Sequence, residues 1–121
     1  MNDRQGAMAM RWRGLALAGA LLVGPAGFGP ARADEPDFAA AGRKLFVEGV
    51  PGQVSCALCH TLAHAGSTGT VGPDLNDLQP EAGQVAKAVR EGLGPMPAFT
   101  WLSDDQISLL ARYVAWAGRD H

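Results

Sequence analysis

The sequence is most constrained by a short segment near its middle, in which Cys56, Cys59 and His60 follow one another in the order CALCH. Two residues separate the two thiols, and an imidazole follows at once. Each thiol can add to one of the two vinyl groups of a haem, and the adjacent histidine then lies beneath the iron. The segment therefore predicts one covalently attached haem, and a chain that folds around it.

Three other kinds of site use closely spaced cysteines. A thioredoxin-like redox disulfide follows a strand in an α/β fold, and this sequence predicts no strand. A zinc site would need two more ligands; His60 and His64 can serve, yet tetrahedral structural sites usually draw on a second, separated pair. A structural disulfide suits an exported protein but leaves His60 without a role. Haem attachment is the interpretation that uses every reactive residue of the segment.

The methionines indicate a second iron ligand. Three of the four, Met1, Met8 and Met10, lie in the predicted leader described below, so Met96 is the one methionine of residues 34–121. A methionine normally fills gaps in a core. Met96 stands between two prolines on a stiff loop. This position favours a thioether that is presented to a bound group over one that only fills space in the core. We expect Met96 to be the sixth ligand of the iron.

A ligating histidine needs an acceptor for its other ring N–H. The Gly-Pro-Asp-Leu loop at 72–75 can offer a backbone carbonyl, although Gly-Pro-Asp is first of all a turn. Two further histidines do not fit as ligands. His64 is too close to His60 in sequence to reach the opposite haem face, and His121 is the last residue. Both are expected at the surface.

Residues 1–33 have the pattern of a secretory signal peptide. Arginines stand near the start, an apolar stretch runs to about residue 28, and Ala31-Arg32-Ala33 matches the A-x-A cleavage pattern. Glycines and prolines interrupt the stretch, whereas a membrane-spanning helix needs about 20 mostly apolar residues. We expect export by the general secretory route to the periplasm, cleavage near Ala33 and no permanent membrane anchor.

Cleavage would leave residues 34–121 acidic. Six Lys and Arg then face eleven Asp and Glu, a net charge of −5 before any haem carboxylate is counted. This balance argues against nucleic acid as a partner. The acidic surface either meets a basic docking patch or only maintains solubility. At 88 residues the domain has a marginal core of its own, and a buried porphyrin would supply the missing apolar mass.

The first predicted helix spans 37–48 and ends before a glycine. Gly42 and Phe46 lie on one face of this helix, four residues apart, which suits the close crossing of another helix. The segment 61–77 is rich in Gly, Ser, Thr, Pro and Asp and is predicted to be a loop.

Two more helices are predicted in the second half of the domain. One begins with Pro80 as its first residue and runs to about Glu91, with Val85, Ala88 and Val89 facing inward and Gly92 past its end. The segment 92–99 holds two prolines and cannot continue it. The last helix starts after Ser103, which forms a capping box with Gln106, and carries a long apolar stripe.

Taken together, CALCH, GPDL, the methionine–proline loop and the terminal amphipathic helix resemble the class I cytochrome c family, and the likeness covers residues 34–121 in order. The resemblance implies a compact all-α fold of three to four helices wrapped around one covalently bound haem c. It implies that Cys56 and Cys59 form the thioethers, that His60 and Met96 ligate the iron, and that the Pro73 carbonyl accepts from His60.

The same resemblance assigns packing roles. It pairs Gly42 and Phe46 with Leu110 and Tyr113 of the last helix. It also implies that the haem pocket is lined by Phe99, Trp101 and Leu102.

The expected function is electron transfer, not enzymatic catalysis. The family passes single electrons between redox proteins, here a donor dehydrogenase and an acceptor oxidase or cytochrome. More narrowly, the chain is similar to small periplasmic cytochromes that accept electrons from dehydrogenases, including molybdenum sulfite-oxidising enzymes. The alternative is a haem-based gas or redox sensor in which Met96 does not ligate and the sixth position stays open.

Overall fold

The computed structural model describes Gly19 and residues 35–119. The predicted leader, Gly19 apart, and His121 lie outside the described residues. The elements of the described domain are, in chain order, α1 (Ala39–Glu48), a 3₁₀ turn (Cys56–Leu58), β1 (Thr61–Leu62), a second 3₁₀ turn (Ala63–Ala65), β2 (Ser67–Thr68), α2 (Leu75–Leu78), α3 (Ala82–Glu91) and α4 (Asp104–Ala117).

Helix α4 is the central element of the domain and begins as predicted. The Ser103 hydroxyl accepts from the Gln106 N–H at 3.1 Å, and the Gln106 side-chain oxygen accepts from the Ser103 N–H at 2.9 Å. The capping box thus satisfies two backbone donors that the first turn of a helix leaves without partners. Asp104 and Asp105 occupy that first turn, where the helix dipole favours negative charge.

The other two long helices start slightly later than predicted. Helix α1 begins at Ala39 because the Ala39 N–H bonds Pro36 O at 2.8 Å in a tight turn. Helix α3 begins at Ala82 with Glu81 as its N-cap residue, so Pro80 precedes the helix and does not open it. Both helices end where predicted, at glycines with positive φ.

Helix α4 packs against both α1 and α3. At the crossing with α1, a Cβ built on Gly42 would lie 2.3 Å from Tyr113 Cβ, so only a glycine fits this close approach. The Phe46 and Tyr113 rings meet edge to face with their centroids 6.1 Å apart. The predicted contact of Gly42 and Phe46 with α4 is therefore confirmed. The largest fully buried side chains are Tyr113, Phe46, Leu62 and Leu110.

The prediction of an unbroken loop at 61–77 was wrong in detail. Strands β1 and β2 form a short antiparallel pair in which Leu62 faces Ser67, and α2 follows within the same segment. The Ser67 side chain is buried, and its hydroxyl accepts from the Leu62 N–H at 3.0 Å and donates to His60 O at 2.9 Å. Two-residue strands leave the fold all-α, as predicted.

Within the part of the chain that the structure describes, no helix has the length and apolar character needed to cross a bilayer.

Candidate functional site

The described domain encloses a cavity of about 370 Å³ between α3, α4 and the segments on either side of α2. This volume is in the range of cofactor and ligand sites. The lining is almost wholly apolar, with sulfur, imidazole, hydroxyl and amide groups at a few points. It consists of Phe46, Val54, Ser55, Cys56, Cys59, His60, Val71, Gly72, Pro73, Leu75, Leu78, Pro80, Gln84, Val85, Ala88, Val89, Leu93, Pro95, Met96, Pro97, Phe99, Leu110 and Val114.

The two cysteines reach one wall of this cavity because the chain turns tightly between them. The Cys59 N–H bonds Cys56 O at 3.2 Å, which closes a 3₁₀ turn, and the His60 N–H bonds the same oxygen at 3.0 Å. Both cysteines are free thiols. Burial raises the pKa of the Cys56 thiol to about 12, so it is protonated at neutral pH. Gly69 backs this turn, since a Cβ there would lie 2.6 Å from the Cys59 carbonyl carbon.

The His60 ring is held in one orientation by its surroundings. Its Nδ1 lies 2.8 Å from Pro73 O. A carbonyl only accepts, so Nδ1 carries the proton and donates, and Nε2 keeps its lone pair for a metal. Gly72 packs on the ring face, where a Cβ would be 2.5 Å from Cε1. Such an outer hydrogen bond fixes the tautomer and orientation of a ligating histidine.

Met96 reaches the same cavity from a tight hairpin after α3. The Leu93 N–H bonds Met96 O and the Met96 N–H bonds Leu93 O, both at 3.0 Å. Gly92 permits this return with φ +75°, and a Cβ there would meet Met96 O at 2.9 Å. A further bond at 2.8 Å, from the Phe99 N–H to Val89 O, ties the end of the segment to α3. Met96 therefore lies on a loop that backbone hydrogen bonds hold in one conformation.

The structure brings five predicted site residues, Cys56, Cys59, His60, Pro73 and Met96, to one cavity. It also lines the cavity with Phe99, but not with Trp101 or Leu102, which line a separate small pocket beside it. The turn after Phe99, closed by the Leu102 N–H to Phe99 O at 3.1 Å, directs these two side chains elsewhere.

His64 is not a surface residue, contrary to the prediction. Its side chain is only 10% exposed. The turn Ala63–Ala65 folds it against α4, where Nδ1 lies 2.9 Å from the Tyr113 hydroxyl and the ring meets Trp116 edge to face. The zinc alternative requires His64 to lie beside the two cysteines. His64 does not line the cavity that contains them, so the structure does not support a zinc site there.

Sequence reasoning missed Gln84 as a cavity residue. The sequence held only a weak indication of this position, since Gln84 lies one helical turn before Ala88, which was predicted to face inward. A polar side chain in the first turn of a helix is usually solvated, so it was not expected in the cavity. It also missed several aliphatic residues of the loops, including Val54, Val71 and Leu78, because irregular segments carry no periodicity.

Comparison with known proteins identifies the chain. The family described as cytochrome c oxidase, cbb3-type, subunit III matches residues 37–114, more than half of the sequence. The chain belongs to this cytochrome c family. The crystal structure of the c-type cytochrome SorU from Sinorhizobium meliloti is similar to it at 48% sequence identity, with a TM-score of 0.63 over 69% of this chain and 94% of that one. A search of curated proteins gave no significant match.

The cytochrome accordingly carries one covalently bound haem c, transfers electrons and interacts with redox proteins. The cavity residues fit this group, since the lining offers two thiols, an oriented imidazole and a thioether within apolar walls.

Proposed function

We propose that this cytochrome is an exported carrier of single electrons whose haem is attached through Cys56 and Cys59 and whose iron is ligated by His60 and Met96. The observation that carries the proposal is that all four side chains line one apolar cavity, with His60 fixed by the Pro73 carbonyl. A ligand set of imidazole and thioether is the one that cytochromes c use to raise the reduction potential. With His60 and Met96 both bound, the iron would have no open position for a substrate.

Haem c, when bound, supplies one-electron ferric–ferrous chemistry. The chain's own residues prepare the site for it. His60 keeps its proton at Nδ1 by donating to Pro73 O, so that Nε2 is the donor atom toward a metal. The aliphatic walls from α3 and α4 exclude water, and a dry, apolar site favours the less charged, reduced state of an iron centre. The hairpin from Leu93 to Met96 holds the thioether on a rigid support.

We further propose that residues 1–33 are a signal peptide removed near Ala33 and that residues 34–121 act in the periplasm as a single monohaem domain. Cytochromes c of this type are typically exported, and the basic start and A-x-A pattern of the sequence support the same route. The donor is a dehydrogenase, for which a molybdenum sulfite-oxidising enzyme is the narrower candidate, and the acceptor is an oxidase or another cytochrome. The protein itself is a carrier and catalyses no reaction on a small substrate.

Replacing the sixth ligand tests the proposal. Met96→Ala is expected to leave the haem attached, to lower the reduction potential by about 0.1 V or more, and to open a position that binds carbon monoxide. Val47→Ala is the control, because Val47 is an exposed aliphatic residue of α1 that does not line the cavity. It is expected to keep the wild-type optical spectrum and potential.

Two outcomes would contradict the ligand assignment. If Met96→Ala kept the low-spin spectrum and the potential of the wild type, Met96 would not be a ligand. If the wild-type protein were already high-spin and took up carbon monoxide readily, the open site of a gas or redox sensor would explain the cytochrome better than electron transfer does.

A further inference from the structure

The charge of the cavity walls matters for the carboxylates of a bound haem. None of the residues described as lining it is a Lys, Arg, Asp or Glu. A haem carries two propionate carboxylates, and a carboxylate that leaves water needs hydrogen-bond donors or a cation in exchange. Apart from the cysteines and His60, the polar side chains of the described lining are those of Ser55 and Gln84.

The covalent attachment of haem to the cysteines decides whether Ser55 or Gln84 can reach a propionate. In a haem, the vinyl groups that become thioethers and the propionates stand on opposite edges of the ring. Ser55 directly precedes Cys56, so it lies at the thioether edge. Gln84 comes from the first turn of α3, a different element, and it lines the cavity while it is also exposed to solvent. Of the two, Gln84 is the one available to a propionate.

The Gln84 side-chain amide has one hydrogen bond within the protein. Its Oε1 accepts from the Glu81 N–H at 2.8 Å as part of the N-terminal cap of α3. The acceptor end of the amide is therefore engaged, and the NH₂ end keeps two donors. We propose, on the basis of the function proposed above, that the Gln84 side-chain amide donates a hydrogen bond to a haem propionate and so helps to set the reduction potential.

Two basic side chains associated with α3, one bound to its N-cap residue and one on the helix itself, already have acidic partners. Arg119 bonds Glu81 at 2.6 Å, and Lys87 bonds Glu91 at 2.7 Å. Neither Arg119 nor Lys87 is left unpaired to form an ion pair with a propionate. A propionate beside Gln84 would instead meet the neutral side-chain amide. The donor draws electron density from the carboxylate and favours the ferrous state, whereas an added negative charge at the same position would favour the ferric state.

Two capping boxes make a matched experiment possible. Gln106 holds the same place in the cap of α4, with its Oε1 accepting from the Ser103 N–H at 2.9 Å, but it does not line the cavity. Gln84→Glu and Gln106→Glu both keep an oxygen acceptor for the cap and both add one charge. Gln84→Leu and Gln106→Leu both remove the amide without adding a charge.

The measurement is an optical redox titration of the four holoproteins together with their ferric-minus-ferrous infrared difference spectra. We expect Gln84→Glu to shift the reduction equilibrium about three- to tenfold toward ferric haem, tenfold being a fall of about 59 mV. We expect Gln84→Leu to shift it less in the same direction and to move a propionate carboxylate band. Neither Gln106 variant is expected to change the potential or the band.

The inference is overturned if Gln84→Leu leaves both the potential and the carboxylate bands at their wild-type values, even if Gln84→Glu shifts the potential, since charge alone would then explain the shift. It is also overturned if the Gln84 and Gln106 variants behave alike. In either case attached, low-spin haem in all four variants would leave the proposed function intact. Absence of covalent haem from the wild type would overturn both.

Discussion

Substitution of Gly42 by alanine tests the helix crossing on which the domain is built. An added Cβ would lie 2.3 Å from Tyr113 Cβ, 2.7 Å from its Cγ and 3.1 Å from its Cδ2. Carbon atoms in contact prefer about 3.5–4.0 Å. Relief therefore requires α1 and α4 to separate by more than about 1 Å, because Tyr113 is fully buried and has no room to turn away.

The magnitude follows from two opposing effects. Overpacking of a close-packed core costs about 1–3 kcal/mol, and so severe an overlap belongs at the upper end. Alanine recovers about 1 kcal/mol of helix propensity relative to glycine. We expect a net loss of about 2 kcal/mol in the free energy of unfolding. Gly83 in α3 is the matched control, since nothing lies within 4 Å of its would-be Cβ. Gly83→Ala should stabilise by about 0.4–1 kcal/mol.

Thermal unfolding of the ferric proteins, followed by far-ultraviolet circular dichroism, measures both effects. For a domain of this size a loss of about 2 kcal/mol lowers Tm by about 8–16 °C. Gly42→Ala should therefore melt well below the wild type, and Gly83→Ala slightly above it. If Gly42→Ala were as stable as Gly83→Ala, the close contact at the crossing would not exist as described.

Two other substitutions test the packing of Gly72 on the His60 ring and the burial of the Tyr113 hydroxyl. Gly72→Ala places a Cβ 2.5 Å from the His60 ring and should reduce the low-spin fraction in the optical spectrum, while Gly83→Ala should not; equal spectra would refute the contact. Burial raises the pKa of Tyr113 from its ordinary 10 to about 12, so the folded state keeps a proton that the unfolded state loses. The free energy of unfolding should thus fall as pH rises from 10 to about 12, and Tyr113→Phe should remove this part of the fall. If the free energy of unfolding fell equally with pH in the wild type and in Tyr113→Phe, the raised pKa of Tyr113 would be contradicted.

The features that could be predicted from sequence are those encoded locally. The capping box of Ser103 and Gln106 uses two side chains three residues apart, so it is visible in the sequence and forms in the structure. Gly42 shows its role because a residue without a side chain shares a helix face with an aromatic. The CALCH segment indicates its cofactor because few chemistries use two thiols and an imidazole at that spacing.

The features that were missed depend on contacts between distant parts of the chain. The pairing of β1 with β2 spans two residues in each strand, too few to show an alternating pattern. His64 is buried only because its turn folds onto α4 and Tyr113, 49 residues further on, accepts or donates a hydrogen bond there. Gln84 is polar and exposed, and only the assembled cavity shows that it is a lining residue.

The most direct test of the account is the intact mass of the purified protein under denaturing conditions, after expression in cells that supply haem and the machinery for its attachment. Covalent haem c at Cys56 and Cys59 requires a mass equal to the polypeptide plus one haem, retained after unfolding. A mass equal to that of the polypeptide alone would contradict covalent attachment of haem to these cysteines.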